Sequence, residues 1–197
     1  DAPILHDFIK FDGKPSNIAG TLEHKKGNIE EGFKDADIII EKEFETAAVH
    51  QGYLETHACL VSVSPDDRTT IWSSSQGQFM VRAMTSFITG IPQSSIRAIP
   101  AEIGGGFGGK TIVYLEPVAT ILSKKSGRPV KMVMTREEVM RASGPTSGSK
   151  SKVKIGAKNN GKITAAQGTF YLQAGAFPGA PIRGAAGCCL APVSYTH

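Results

Sequence analysis

The chain has 197 residues, 40% of them hydrophobic and 20% charged, which is the composition of one soluble globular domain, with or without an extended arm. It has no apolar run of membrane-spanning length and no signal-peptide pattern, which excludes a protein built around a transmembrane helix. The net charge of +4 is unevenly spread, with 12 acids against 6 bases in residues 1–55 and 6 against 16 in residues 56–197.

Residues 1–27 lack periodicity and carry Pro3, Pro15 and several glycines. They predict an extended arm from an upstream domain, with residues 28–197 forming the main domain. Asn28 stands three residues before Glu31, a capping-box-like start for a helix over Ile29–Ala36. A strand is expected from Ile38 to Glu45, a connection from His50 to His57, and strands over Ala58–Val63 and Thr69–Ser73. A helix over Phe79–Thr89 stops at Gly90, and a strand follows over Ile96–Ile99. The next helix covers about Ile112–Ser126, although Pro117 sits late for a first-turn proline and moves the start toward Leu115. Val130–Met134 reads as a strand, and Thr135 with Glu138 as the capping box of a helix over Arg136–Ala142. Lys152–Ala157 and Lys162–Gln173 read as a hairpin about Asn159-Asn160-Gly161. Lys150, Lys152 and Lys154 alternate with Ser151, Val153 and Ile155, the pattern of a half-buried strand with a solvated lysine face. That explains the basic excess better than a nucleic-acid surface, and a patch facing an anionic cofactor or partner domain is the other reading.

From Gly175 to Pro192 the chain is rich in Gly, Ala and Pro and reads as irregular. Cys59, Cys188 and Cys189 show no metal-type spacing and fit a reducing, cytoplasmic setting. The chain opens on Asp1 and stops at His197 with no terminal signal, which predicts a piece of a larger protein. Strands and helices with both hairpin and crossover connections give an α+β class, a mixed sheet with packed helices.

The chemistry concentrates in Gly104-Gly105-Gly106-Phe107-Gly108-Gly109-Lys110. Five glycines in six residues let several backbone N–H groups turn toward one point and make an anion nest. The run matches the P-loop pattern over Gly104–Thr111 and the dinucleotide pattern over Gly104–Gly109. Both motifs need a strongly apolar strand just before them, and here Pro100 and Glu102 interrupt it. A P-loop nucleotide-binding protein therefore stands as the alternative reading, and a scaffold whose glycines only pack two domains as a third. His50, Glu55 and His57 are the one cluster of metal-ligand type, more readily a structural network than a zinc site. Ser73-Ser74-Ser75 has no paired base or nucleophile elbow. Gln76, between a strand end and a helix start with Gly77 beside it, has an amide able to donate to a bound oxygen.

GGGFGGK at Gly104–Lys110, with Ser-Ser-Gln76-Gly-Gln and Tyr53-Leu54-Glu55-Thr56-His57 before it, resembles the xanthine dehydrogenase/aldehyde oxidase family. Ser126-Gly127-Arg128-Pro129-Val130, Thr135-Arg136-Glu137-Glu138 and Ala174-Gly175-Ala176 follow in the family's order. The likeness runs from about Phe33 to the C-terminus and matches the first half of the molybdopterin-binding domain of the large subunit. It implies a molybdenum–molybdopterin cofactor, in some relatives as the cytosine dinucleotide, contacted by Gln76, Gly105, Gly106, Phe107 and Gly108. Gln76 and Phe107 would touch the ligands of molybdenum, with no protein side chain bound to the metal itself. It further implies FAD and 2Fe-2S clusters on other domains or subunits as partners. The reaction implied is oxidative hydroxylation of an aldehyde, N-heterocycle or related small substrate with water-derived oxygen. Neither nucleic acid nor membrane is expected as a partner. Many relatives carry an acid after the lysine, where this chain has Thr111, which argues against purine-type recognition. The family's catalytic glutamate and arginine-bearing loop have no counterpart within residues 1–197, so the chain alone is expected to be inactive.

Overall fold

A computed structural model describes residues 3–175. In chain order the elements are β1 (Lys10–Phe11), β2 (Lys14–Pro15), α1 (Ile29–Lys34), β3 (Ile38–Thr46), β4 (Ala58–Val63) and β5 (Thr69–Ser73). They continue with α2 (Gln78–Thr89), a 3-10 turn at Gln93–Ser95, β6 (Ile96–Pro100), α3 (Glu116–Ser126) and β7 (Val130–Val133). Last come α4 (Arg136–Ala142), β8 (Ser149–Ala157) and β9 (Ile163–Leu172). The class is α+β, as expected. The Gly/Ala/Pro-rich stretch beyond Gly175, with Cys188 and Cys189, lies outside the described residues. Among those residues no helix is long and apolar enough to cross a membrane.

The chain divides into two compact units. One joins Asp1–Ala48 to Ser147–His197, and the other is Val49–Thr146. In the first, β3, β8 and β9 form an antiparallel sheet in the order β3-β8-β9. Register explains its two unlike faces. Glu41 lies opposite Lys154 and Glu43 opposite Lys152, and Lys152 Nζ reaches Glu41 Oε1 at 2.9 Å. The lysine face thus carries exposed cross-strand ion pairs, each a small contributor to stability. α1 packs beside Gly156 and Ala165 on that side, where an added Cβ at Gly156 would lie 2.9 Å from Ala36 Cβ. Ile38, Ile40, Phe44, Val153 and Ile155 line the opposite face.

Two boundaries in this unit differ from the sequence reading. α1 ends at Lys34 instead of Ala36, because Asp35 closes it with its N–H on Glu31 O, while Asn28 caps the start as expected. The stretch expected as a plain arm contains the β1–β2 hairpin, turned by Asp12 and Gly13 at φ 50° and 78°. The missed signal was the Asp-Gly pair, which suits a two-residue turn with both φ values positive.

The second unit is a four-stranded sheet in the order β6-β5-β4-β7, with β5 and β6 parallel and the other pairs antiparallel. Cys59, Val61, Ile71, Val81, Ile91, Ile96 and Ala119 make its core, joining the sheet to α2 and α3. α2 ends at Gly90 and α3 at Gly127, both left-handed caps that return an N–H to the last turn. α3 starts at Glu116, later than Ile112, because Pro117 is tolerated in a first turn and not in a helix interior. Its start is closed by Glu116, whose carboxylate accepts from Tyr114 N at 3.0 Å. The residues between Gly104 and Leu115 are therefore a long loop, which lies over a second cluster of Tyr53, Met134 and Val139.

Thr135 caps α4 with a reciprocal pair of bonds to Glu138, and α4 carries Val139 of the second cluster and ends at its C-cap Ser143, whose hydroxyl lies 3.2 Å from that of Tyr53. Thr135→Ala is expected to lower stability by about 1 kcal/mol, read as a shift in the urea midpoint at unchanged slope.

Candidate functional site

The glycine run is folded by two side chains that accept hydrogen bonds. Gln76 follows β5 and immediately precedes the turn into α2, in a chain pinned by the buried Ser73, Ser74 and Ser75. Its Oε1 accepts from Gly108 N at 2.9 Å and Lys110 N at 3.2 Å. Two N–H donors admit only the oxygen there, which fixes the amide's orientation. The backbone repeats the attachment, since Gln76 N and Ser75 Oγ both donate to Lys110 O, at 2.9 and 3.1 Å. Gly106 packs against the same side chain, and a Cβ built there would lie 2.5 Å from Gln76 Oε1. Gly108, at φ 87°, takes a conformation that glycine adopts without cost. Phe107 is held at φ 49° and is 71% exposed, a left-handed residue of the kind that surrounding structure must maintain.

Glu55 holds the other end. Its Oε2 accepts from Gly104 N at 2.8 Å and from Lys110 Nζ at 2.7 Å. Partial burial works against this carboxylate's charge, but the Lys110 ammonium and the Gly104 N–H outweigh it and hold its pKa below the usual range. Lys110 is fully buried, with Nζ 5.0 Å from the centroid of the Tyr53 ring.

Beneath the loop, Tyr53, His57, Ser143 and His50 form one network. Gly52 N donates to His50 Nδ1 at 3.0 Å, so the His50 proton sits on Nε2 and is donated to Ser143 Oγ at 2.9 Å. Ser143 Oγ donates in turn to Val139 O. The Tyr53 hydroxyl is hydrogen-bonded to His57 Nε2 at 2.7 Å and to Ser143 Oγ at 3.2 Å. Burial pushes the pKa of His57 down to about 4, helped by the nearby Lys110 ammonium, so His57 folds neutral. Burial also pushes the Cys59 thiol up to about 12, which leaves it an inert core residue.

Of the residues singled out from sequence, Glu55, Ser75 and Gln76 bond this loop directly, and several do work other than that expected. The N–H groups of Gly108 and Lys110, expected to face an external anion, converge on Gln76 instead. Those of Gly105, Gly106 and Phe107 take no acceptor among the described residues, nor does Gln76 Nε2. Glu55 and His57, grouped as possible metal ligands, are spent separately on Lys110 and Tyr53. The hydroxyl of Ser75 is a structural donor, and Ser74 Oγ bonds the backbone of Ala58. The P-loop alternative fails on two counts. The ammonium of Lys110 is buried against Glu55 and out of a phosphate's reach, and the next helix begins six residues later, at Glu116. Sequence reasoning missed the Glu55–Lys110 pair, because no spacing rule links residues 55 positions apart.

His57 takes a proton near pH 6.5 when unfolded and near 4 when folded, so the unfolded chain binds more protons in between. Its contribution is complete above about pH 6.5 and declines as pH falls toward 4. Thermal midpoints measured across that window are expected to fall with pH, and His57→Gln to flatten the slope.

The molybdopterin cofactor-binding domain family matches residues 10–195. A probable hypoxanthine oxidase of Escherichia coli K12 is 34% identical over 161 residues, 82% of this chain and 17% of that protein. Aldehyde oxidase 3 of Mus musculus is 34% identical over 177 residues, 88% of this chain and 13% of that one. Among solved structures, the reconstituted CO dehydrogenase of Oligotropha carboxidovorans aligns with a TM-score of 0.55 at 30% identity, covering 72% of this chain and 18% of that chain. The chain thus spans less than a fifth of the length of each of these proteins. With its glycine loop closed on Gln76, it belongs to the molybdopterin cofactor-binding domains of the xanthine dehydrogenase/aldehyde oxidase family.

Proposed function

We propose that this chain supplies one wall of the molybdenum–molybdopterin site of a molybdenum hydroxylase, with Gln76, Gly105, Gly106, Phe107 and Gly108 as its contact residues. The observation that carries the proposal is the set of donors left over once the loop is built. Gln76 has committed its oxygen to the loop, so its exposed amide offers two N–H bonds with no acceptor among the described residues. The N–H groups of Gly105, Gly106 and Phe107 are likewise unspent. A concentration of donors without acceptors fits an oxygen-rich, anionic group, and Gly108, where an added Cβ would meet nothing within 4 Å, leaves room for it.

Bound there, the molybdenum–molybdopterin group, as such or as the cytosine dinucleotide, supplies two-electron oxidation of a small substrate with oxygen derived from water. The chain's own part is to bind and orient. Gln76 Nε2 donates to an oxygen of the cofactor assembly, and the rigid loop holds the exposed ring of Phe107 beside it. No side chain of this set is a metal ligand, and both Gln76 and Phe107 act through the metal's other ligands. Residues 28–197 would form the cofactor-binding part and residues 1–27 the segment leading in from another domain. FAD and 2Fe-2S centres on other domains or subunits would carry electrons away, in a cytoplasmic enzyme. The substrate is an aldehyde, an N-heterocycle or a related small molecule, and the base for its oxidation comes from outside residues 1–197. The 197-residue chain alone is accordingly expected to show no hydroxylase turnover.

The full-length protein should contain molybdenum and a fluorescent pterin. Gln76→Ala should lower the molybdenum-to-protein ratio by about tenfold or more, in the range found when residues supporting a metal's ligands are removed. Gly106→Ala should act in the same direction, because its Cβ displaces Gln76 without removing it. Well-folded full-length protein devoid of molybdenum would overturn the proposal.

A further inference from the structure

The side chain of Lys110 is fully buried, which is expensive for an ammonium group unless an ion pair and good geometry compensate it. Its partner Glu55 is one-third exposed. A well-packed apolar residue would fill the same space without desolvating a charge, so the pair contributes something other than packing.

That contribution is visible in how one oxygen is shared. Oε2 of Glu55 takes the N–H of Gly104, where the loop begins, and the ammonium of Lys110, where it ends. Glu55 N also donates to Gly104 O at 3.2 Å, which doubles the attachment at the entry. Lys110 at the exit donates its N–H to Gln76, so one residue links the two acceptors that shape the loop. The ring of Tyr53 forms the floor. An added Cβ at Gly105 would lie 3.3 Å from Tyr53 Cβ, and one at Gly109 only 2.7 Å from Tyr53 Cε1. Between these anchors Phe107 keeps its left-handed backbone, and Gln76 keeps its amide fixed by two N–H groups.

We infer that Glu55 and Lys110 are a positioning pair, an ionic clasp that sets the span of the glycine loop and thereby holds Gly108 N and Lys110 N on Gln76 Oε1. Its benefit to a bound molybdenum group, through the fixed Gln76 amide, rests on the proposed function. Its hold on the loop does not.

The test is amide hydrogen exchange on the full-length protein, comparing Gly108 and Lys110 with Val61 and Ile71 in the β4–β5 core. In Glu55→Gln, and in Glu55→Gln/Lys110→Met where no buried charge is stranded, the two loop amides should exchange about tenfold faster or more, while the core amides change less than about twofold. An equal rise at loop and core would reduce the pair to general stability and overturn the inference, as would unchanged loop exchange. Unmodified protein gives a second reading that needs no variant. Lys110 should resist reductive methylation under conditions that modify the exposed Lys125 and Lys131, and become reactive at the urea concentration where the Gly108 and Lys110 amides lose protection. Methylation of Lys110 while those amides stay protected would equally refute the clasp. Molybdenum content of the same samples keeps the two claims apart, since protein without molybdenum but with the expected exchange pattern refutes the cofactor reading alone.

Discussion

A run of glycines satisfies little of its own backbone. Here it closes one turn, Gly109 N to Gly106 O at 2.8 Å, and each residue loses much conformational entropy when ordered. This protein meets that constraint with two oxygens from outside the run, Oε1 of Gln76 and Oε2 of Glu55, which between them take Gly104 N, Gly108 N, Lys110 N and the Lys110 ammonium. Both oxygens are placed by neighbouring elements of the second unit. The end of β5 and the start of α2 fix Gln76, and the Tyr53–His57 segment fixes Glu55.

The support beneath the loop is a polar, hydrogen-bonded network. His50, Ser143, Tyr53 and His57 are joined by hydrogen bonds, and burial with a neighbouring ammonium keeps His57 neutral. A charged His57 would be buried beside the Lys110 ammonium, and the nearby Glu55 carboxylate offsets only part of that cost. The arrangement therefore ties the loop's floor to pH, through a group that titrates well below its ordinary range. Networks of this kind rigidify a site when every member is paired and fail together when one is not.

The two units spend their charges differently. In the β3-β8-β9 sheet the glutamates and lysines pair across exposed strands, where solvent screens them and any single pair matters little. In the second unit one pair is withdrawn from solvent on its lysine side, and there the same chemistry constrains geometry. The lysine that ends the glycine motif illustrates the point. By pattern it is a phosphate ligand, and by position it is an internal tether.

Much of the fold was legible in the sequence because its signals are local. Thr135 with Glu138, Asn28 before α1, the strands Ala58–Val63 and Thr69–Ser73, and the glycine caps at Gly90 and Gly127 depend on residues within a few positions of one another. The glycine run and Gln76 stood out as the candidate site for the same reason, since unusual composition needs no partner to be noticed. Tertiary structure alone decided where the N–H groups of that run are directed and what becomes of Lys110. Those outcomes depend on contacts between Gln76 and Gly108, 32 positions apart, and between Glu55 and Lys110, 55 positions apart, for which no periodicity exists. A hydrogen-bond donor in a flexible segment has no direction until folding brings an acceptor to it, and only then does the loop acquire a shape.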